Sequence, residues 1–466
     1  MVVRRLALAW LVVFAVSGAV SGAASANGRP PATSSITFRQ GHETDVAVGL
    51  TFGLVISHDG GATWVWLCEK AVGYSGEYDP RYAFSQSGAL FATTFDGFKV
   101  ERDTCTFGAT PAGATFVSTN TLGADHALYY TAGQHADTMN HVDADYRIYR
   151  SSDDGVSFAP TPGQPDGPVS WWESLAVAPS DQQVLYLSGY AYVPGPADAG
   201  TVKQQLLFRT DNAGASWTSI AVDPSSVTIA PNSVISIAGI AADDPAHVYI
   251  RVSNDDNIST QSIYRSTDRG ATWHRIAHDS VPLDAFVVRA AKNAQGKHDL
   301  IVGTQANGSQ ISHDDGDTWT ALVDPPRMNC LVENAAGELW ACTQNYNPNG
   351  GPFDGAGIMK TTDPEAVAWT KVLRYEDLTE AAPCAAGTPQ ATDCQMMWCA
   401  VCKQLGCTPS ASYQCNVEAP APKAGCCDGG RGGTGALALG LPVGMVLLRP
   451  RRRRVLQAHA SHPRNA

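Results

Sequence analysis

The chain has 466 residues, enough to bury a sizeable core, and only 16% of them are charged. Glycine and proline together fill 72 positions (44 + 28), which suits a turn-rich all-β protein and not a disordered one. A formal charge of −12 excludes a basic nucleic-acid-binding surface, and five arginines crowded at Arg449 and Arg451 to Arg454 leave the remainder more acidic still.

Residues 1–26 read as a secretory signal. Arg4 and Arg5 precede an apolar run from Leu6 to Val16 that is too short to span a bilayer, and Ala24-Ser25-Ala26 supplies a small-residue cleavage site. A linker (27–34) follows. Export would place the twelve cysteines in an oxidising compartment, where most should pair.

From residue 35 to 380 one octapeptide returns. Ser57 to Trp64 (SHDGGATW) is matched by Ser151 to Phe158, Thr210 to Trp217, Ser266 to Trp273 and Ser312 to Trp319. Worn copies stand at Val100 to Phe107, with Arg102 in place of Asp and Thr104 in place of Gly, and at Thr361 to Trp369, which has no Gly. Successive starts lie 43 to 59 residues apart, the spacing of a toroidal or solenoidal repeat. Within each copy, Asp59, Asp153, Asn212, Asp268 and Asp314 can accept bonds from nearby backbone and lock a turn. Gly61, Gly155, Gly214, Gly270 and Gly316 supply positive φ, and Trp64, Trp217, Trp273 and Trp319 bury a ring as the next strand opens. Five copies argue for a structural role, since no active site needs five.

Strand-like runs flank each copy: Ser35 to Gln40, Asp45 to Leu50, Gly53 to Ser57 and Thr63 to Leu67 in the first unit. The sixth unit repeats them at Ala285 to Ala291, Asp299 to Gln305, Ser309 to Ser312 and Thr318 to Leu322. Four strands per unit and seven units predict a seven-bladed β-propeller in which each blade is made whole by one unit. The motif resembles the Asp-box (BNR repeat) of sialidase-like and photosynthesis stability-factor-like propellers. That resemblance covers 35 to 380 and implies fold, with many members lacking known activity.

Cys330 and Cys342 flank the turn Asn334 to Gly337 and should pair across a hairpin. Cys68 and Cys105 sit near octapeptide-associated strands of neighbouring units, and a bridge between the first two blades is expected. Residues 381–417 carry six cysteines (384, 394, 399, 402, 407 and 415), read as three disulfides stapling a small extension; no second C-x-x-C supports zinc. Residues 418–433 hold Ala419-Pro420-Ala421-Pro422 and the pair Cys426-Cys427; 434–466 hold an apolar run from Gly435 to Leu448 and the arginines. This end resembles the MYXO-CTERM sorting signal of myxobacterial surface proteins, which implies processing at Cys426 or Cys427 and attachment to the cell surface. The apolar run, at ~1.5 Å per helical residue, is shorter than the ~30 Å hydrocarbon core.

Loops between the second and third strands should gather on one face. Those of blades one, two and six are short (Thr51-Phe52, Phe95-Asp96, Ala306 to Gly308). Blades three, four, five and seven carry long ones: Gly133 to Asp145, Tyr190 to Gln204, Asn254 to Thr260 and Asn345 to Gly357. Recognition is expected on that face. His135, Asp137, His141, Asp143 and Asp145 have the chemistry to hold a divalent cation, against the reading of a solvated loop. Asn254, Asp255 and Asp256 offer oxygens to calcium or form an Asx-rich turn. Tyr190, Tyr192, Tyr346 and Phe353 could stack on sugars, and Trp171 and Glu173 stand where the chain enters the innermost strand of blade four. No cofactor is called for.

Catalytic signatures are weak. Arg150, Arg209 and Arg265 each precede an octapeptide by one residue, a scaffold position and not a substrate clamp. Glu173, Asp284 or Glu333 could serve a two-carboxylate glycosidase, but nothing singles them out. The sequence therefore points to an exported, surface-attached, monomeric binding or scaffold module for a glycan or protein ligand, with a glycoside hydrolase as the alternative.

Overall fold

Twenty-eight strands among the described residues of a computed structural model form seven sheets of four, each built from consecutive strands in the order first to fourth. The description covers residues 29–415 apart from 76–77, 114, 196–199, 223–225, 255–259, 348–352 and 414. The blades span 33–67, 82–109, 117–160, 171–219, 234–279, 285–321 and 330–373. First strands of successive blades touch around the ring, and that of blade seven touches that of blade one. The molecule is a seven-bladed β-propeller whose blades are each continuous in sequence, as the repeats imply.

Blade one follows its expected outline: Thr33–Arg39, His42–Leu50, Gly53–Ser57 and Val65–Leu67. The second strand ends in five buried residues, Val46 to Leu50, because it packs between neighbouring blades on both faces. Antiparallel order puts the second-to-third hairpins and the links to the next blade on one face. The octapeptide turns lie on the other.

Those turns share one hydrogen-bond set. Ser57 Oγ donates to Asp59 Oδ1 (2.8 Å) and accepts from Gly61 N (2.8 Å), while Asp59 accepts from Thr63 N (2.8 Å) and Thr63 Oγ1 (2.6 Å). Ser151/Asp153, Ser266/Asp268 and Ser312/Asp314 repeat it. In blade four, Asn212 accepts from Ser216 N (2.8 Å) and its amide donates to Ser216 Oγ, so a neutral residue serves equally. In blade two, register pairs Glu101 with Leu90 as Ser57 pairs with Val46, which makes Asp103, not Arg102, the counterpart of Asp59. Asp103 accepts from Cys105 N and Thr106 N in a turn one residue shorter.

The turns also join blades. Gly61 has φ 88°, and a Cβ there would lie 2.6 Å from Val372 of blade seven; at Gly155 it would lie 2.2 Å from Phe91 of blade two. In the opposite sense, Arg102, Arg209 and Arg265 each reach the turn of the following blade, donating to the carbonyls of Asp154, Arg269 and Asp315. Two of the three arginines read as a scaffold site, Arg209 and Arg265, thus do scaffold work. Arg150 does so within its own blade, through Tyr129 and Asp125.

Cys330–Cys342 forms across its hairpin as expected. The expected Cys68–Cys105 bridge does not. Cys68 leaves its blade on the long-loop face, whereas Cys105 lies in an octapeptide turn on the opposite face. Each pairs instead with the extension, as Cys68–Cys394 and Cys105–Cys384. Only two bridges, Cys399–Cys415 and Cys402–Cys407, are internal to it, not three. The extension has its own helix, α2 (Gln395–Leu405; α1 is the single turn Glu69–Val72), ended by Gly406 in the left-handed region. Trp398 of α2 packs on Trp66 of blade one (5.2 Å between rings) and on Tyr413 (5.3 Å). Gln390, almost fully buried, donates to Trp66 O and accepts from Cys68 N. Extension, blades one and two, and blade seven share one apolar core. The signal segment, Cys426, Cys427 and the apolar tail lie outside the described residues.

Asp314→Asn should leave the urea midpoint nearly unchanged, as blade four manages with Asn212, whereas Asp314→Ala should cost about 1 kcal/mol. Hydrogen bonds from the following Thr or Ser, hydroxyl first and amide second, pull Asp59, Asp153 and Asp314 down to about 2. Their folded values lie below the unfolded one near ~3.9, so this stabilisation is whole above about pH 4 and lost as pH falls towards 2. An acid titration followed by near-ultraviolet circular dichroism reads that window. Replacing Cys68 and Cys394 together by Ser should lower stability by about 2–5 kcal/mol, because the bridge closes a loop of 326 residues. Denaturant unfolding of the oxidised proteins measures it.

Candidate ligand-binding face

Two adjoining clefts open on the long-loop face. One, of about 490 Å³, lies at the mouth of the central channel, where Ser34, Ser35, Asp79, Arg81, Arg251 and Asp284 meet from blades one, two, five and six. The other, of about 450 Å³, runs outward over the seam between blades seven and one, past Arg29, Asn345 and Tyr346. Ala32, Thr51, Gln305 and Asn329 line both, and Gln305 donates to the Asn329 side chain between them.

Arginines hold the acids of these clefts. Arg29 grips Asp79 with two bonds (2.9 and 2.8 Å), and Arg251 lies 2.7 Å from Asp284. Glu69 at the start of α1 sits behind Asp79, only 4% exposed, with a buried Oε1 that no hydrogen bond satisfies. Burial pushes its carboxyl up to about 7; Arg29 opposes the rise and Asp79 adds to it.

A file of aromatic rings crosses blades two to four on the same face. Phe95, in the two-residue turn of blade two, stacks on Phe116 (4.7 Å, 15°) and meets Tyr78 (4.7 Å). Phe116 passes contact to Trp171 (5.2 Å), whose cross-strand neighbour is Tyr190, and Tyr190 meets Tyr192 edge-on (5.5 Å). Lys203 Nζ lies 4.1 Å over the Tyr190 ring. Phe95 and Tyr192 remain 54% and 56% exposed.

Of the residues singled out by sequence, Trp171, Tyr190 and Tyr192 therefore come together. Glu173 sits beside them in a bulge of the innermost strand, and its charge is felt by Tyr190 and Lys203. Tyr190 to Gln204 is less a loop than a ladder, since the blade-four strands run to Pro194 and restart at Thr201. Tyr346 lines the outer cleft. Phe353 is exposed and belongs to neither cleft's lining. Asn254 takes a positive φ in its turn and bonds Thr260 O, while Asp255 and Asp256 lie outside the described residues.

The five candidate cation ligands of blade three do not converge. His135 bonds Tyr146 OH (2.6 Å), and Asp137 caps its own turn through Met139 N and Asn140. Asp145 is held by Arg147 and Tyr149, and His141 and Asp143 face solvent. The loop is a small hairpin with bridges at Gln134–Asp145 and Asp137–Val142, whose polar groups serve one another. Among the described residues, no group of three or more His, Cys, Asp or Glu could hold a metal ion.

The sequence reading passed over Phe95, Phe116 and Tyr78. An aromatic in the two-residue turn Phe95-Asp96 was the available signal, since turn tips seldom carry one without contact to make. It also passed over Arg29, Asp79 and Arg81, which gather at the axis from distant segments.

No protein-family model matches the sequence. A stretch of 136 residues, 29% of the chain, is 33% identical to xyloglucanase Xgh74A of Acetivibrio thermocellus, and the match spans 15% of that enzyme's length. Solved structures that align with the chain include the extracellular domain of BT4673 from B. thetaiotaomicron (12% identity, 71% of this chain and 38% of that one, TM-score 0.42). YCF48 from Cyanidioschyzon merolae aligns at 13% identity over 67% of this chain and 93% of its own, TM-score 0.42. The GH74 enzyme of Niastella koreensis aligns at 12% over 73% and 78%, TM-score 0.28.

Glu69→Gln tests the buried acid. Its folded pKa lies above the unfolded one, so its favourable contribution is whole below about pH 4.5 and lost as pH rises through about 7. The variant should raise the thermal midpoint at pH 8 and leave it nearly unchanged at pH 5.

Proposed function

We propose that this chain is an exported, surface-displayed propeller that binds a ligand on its long-loop face and performs no chemistry there. The observation that carries this reading is the neutralisation of the acids sequence would offer for catalysis. Asp284 is tied to Arg251 and Glu333 to Arg289 (2.8 Å), while Glu173 lies beside Lys203. Preformed clefts and exposed rings remain, which are features of recognition. The octapeptides resemble Asp-boxes, and their aspartates are spent on turns. Disulfides between distant segments fit an oxidising compartment, and the C-terminal resemblance to a MYXO-CTERM signal supplies the means of display.

The stretch shared with a xyloglucanase favours one second reading, a glycoside hydrolase. Such an enzyme needs a proton-bearing acid and a second carboxylate about 5–9.5 Å apart on either side of the bond to be cut. Glu69 has the titration of such an acid but not the access. Incubating the purified full chain with a panel of glycosides and β-glucans should release no new reducing ends; turnover on any of them that Glu69→Gln or Asp284→Asn abolishes would establish the hydrolase. For display, replacing Cys426 and Cys427 by Ala should move the protein from the envelope fraction to the medium, and unchanged retention would count against those thiols.

A further inference from the structure

The aromatic file points to a ligand class. We propose that Phe95, Trp171 and Tyr192 are stacking positions for successive sugar rings of a neutral polysaccharide laid across blades two to four. This rests on the reading of the long-loop face as a binding surface.

Three observations support it. First, the rings are ordered before any ligand arrives. Phe116, itself buried, backs Phe95 on one side and Trp171 on the other, and Trp171 and Tyr190 are fixed by a strand ladder. The backbone beneath is fixed too: Gly133 N donates to Phe116 O (2.8 Å) and Tyr192 N to Ser170 Oγ (2.9 Å). Rings held this way lose little freedom on binding. Second, solvation is uneven along the file. Its two ends are more than half exposed, in a fold that buries most of its aromatics, so each end leaves part of an apolar ring in solvent. Third, charges of both signs flank the file: Lys203 and Glu173 at the blade-four end, and Lys70, Asp96 and Asp393 around the cleft at Phe95.

A sugar ring has the complementary shape: an apolar face of C–H bonds and a rim of hydroxyls. A single file of rings suits a linear chain of such units. A whole protein interface takes about 800 Å² from each partner, with a broad apolar centre, whereas the exposed rings here form one line. Mixed charge gives no preference to an acidic polymer. Lys203 already covers one face of Tyr190, so that ring supports its neighbours and Lys203 is left to donate to sugar oxygens.

Affinity electrophoresis of the full chain through gels containing hydroxyethylcellulose, xylan, galactomannan or alginate tests this. At least one neutral polymer should retard the protein. Phe95→Ala and Tyr192→Ala should each weaken that affinity by about 3- to 10-fold while the protein still unfolds in one cooperative transition, its midpoint lowered only slightly by the lost ring contacts. Met139→Ala, at an exposed apolar side chain away from the file, should change nothing. Retardation by none of the neutral polymers overturns the assignment, as does retardation that both ring variants retain in full. Retention on alginate alone, indifferent to both substitutions, overturns the stacking site but leaves the face a binding surface. New reducing ends in the same samples would instead overturn the binding reading itself.

Discussion

Closing the ring is the constraint on which everything else depends. Each sheet is complete within its own unit, so blade seven borrows no strand from the chain's beginning and must be held to blade one by side chains. Thr33 and Tyr375 share a hydrogen bond (2.7 Å), Trp340 meets Phe38 edge-on, and Trp64 reaches Val372 O. Contacts of this kind are individually worth about 1 kcal/mol. The extension reinforces them. Leaving blade seven, it crosses the outer side of blade one, inserts Trp398 and Gln390 there, and is bonded covalently to blades one and two. A seam that would be the weakest in the ring thus receives its largest core and is strapped by two of the five disulfides among the described residues.

Between blades two and three, four and five, and five and six the same small lock acts in both directions. An octapeptide glycine rests on the blade before, and an arginine from the blade before grips the carbonyl of the turn. The aspartates matter because they hold the turn at the one shape that serves both contacts. With these turns on one face, the other is released from structural duty. Its hairpins can lengthen, as in blade four, and its rings can remain in solvent.

Local signals were the legible ones. The octapeptide declares itself because its donors and acceptors lie within seven residues, and the Cys330–Cys342 hairpin because its turn sits midway between the two thiols. Blade two was misaligned by one residue, since Glu101 stands where serine is usual and hid the true counterpart, Asp103. The helix α2 was present as a pattern, with Trp398, Val401, Cys402 and Leu405 at helical spacing, but cysteines interrupt it and drew the reading towards staples. The Cys68 and Cys105 partners lie 326 and 279 residues away, and nothing short of the folded ring brings them near. The aromatic file fails for the same reason: its members come from three blades. Only Trp171, Tyr190 and Tyr192, which share a blade, were picked out.

The covalent strap also fixes a circumference. Propellers can grow or shrink by whole repeats, because each blade meets only its two neighbours through locks that any other blade could supply. Here the segment after blade seven must still reach both Cys68 and Cys105 with the nine residues that separate Cys384 from Cys394. An inserted or deleted blade would change the angle between the first and last repeats and pull those thiols out of reach. Descendants of this protein are free to vary their loops, but not to change the number of their blades unless they lose the clasp first.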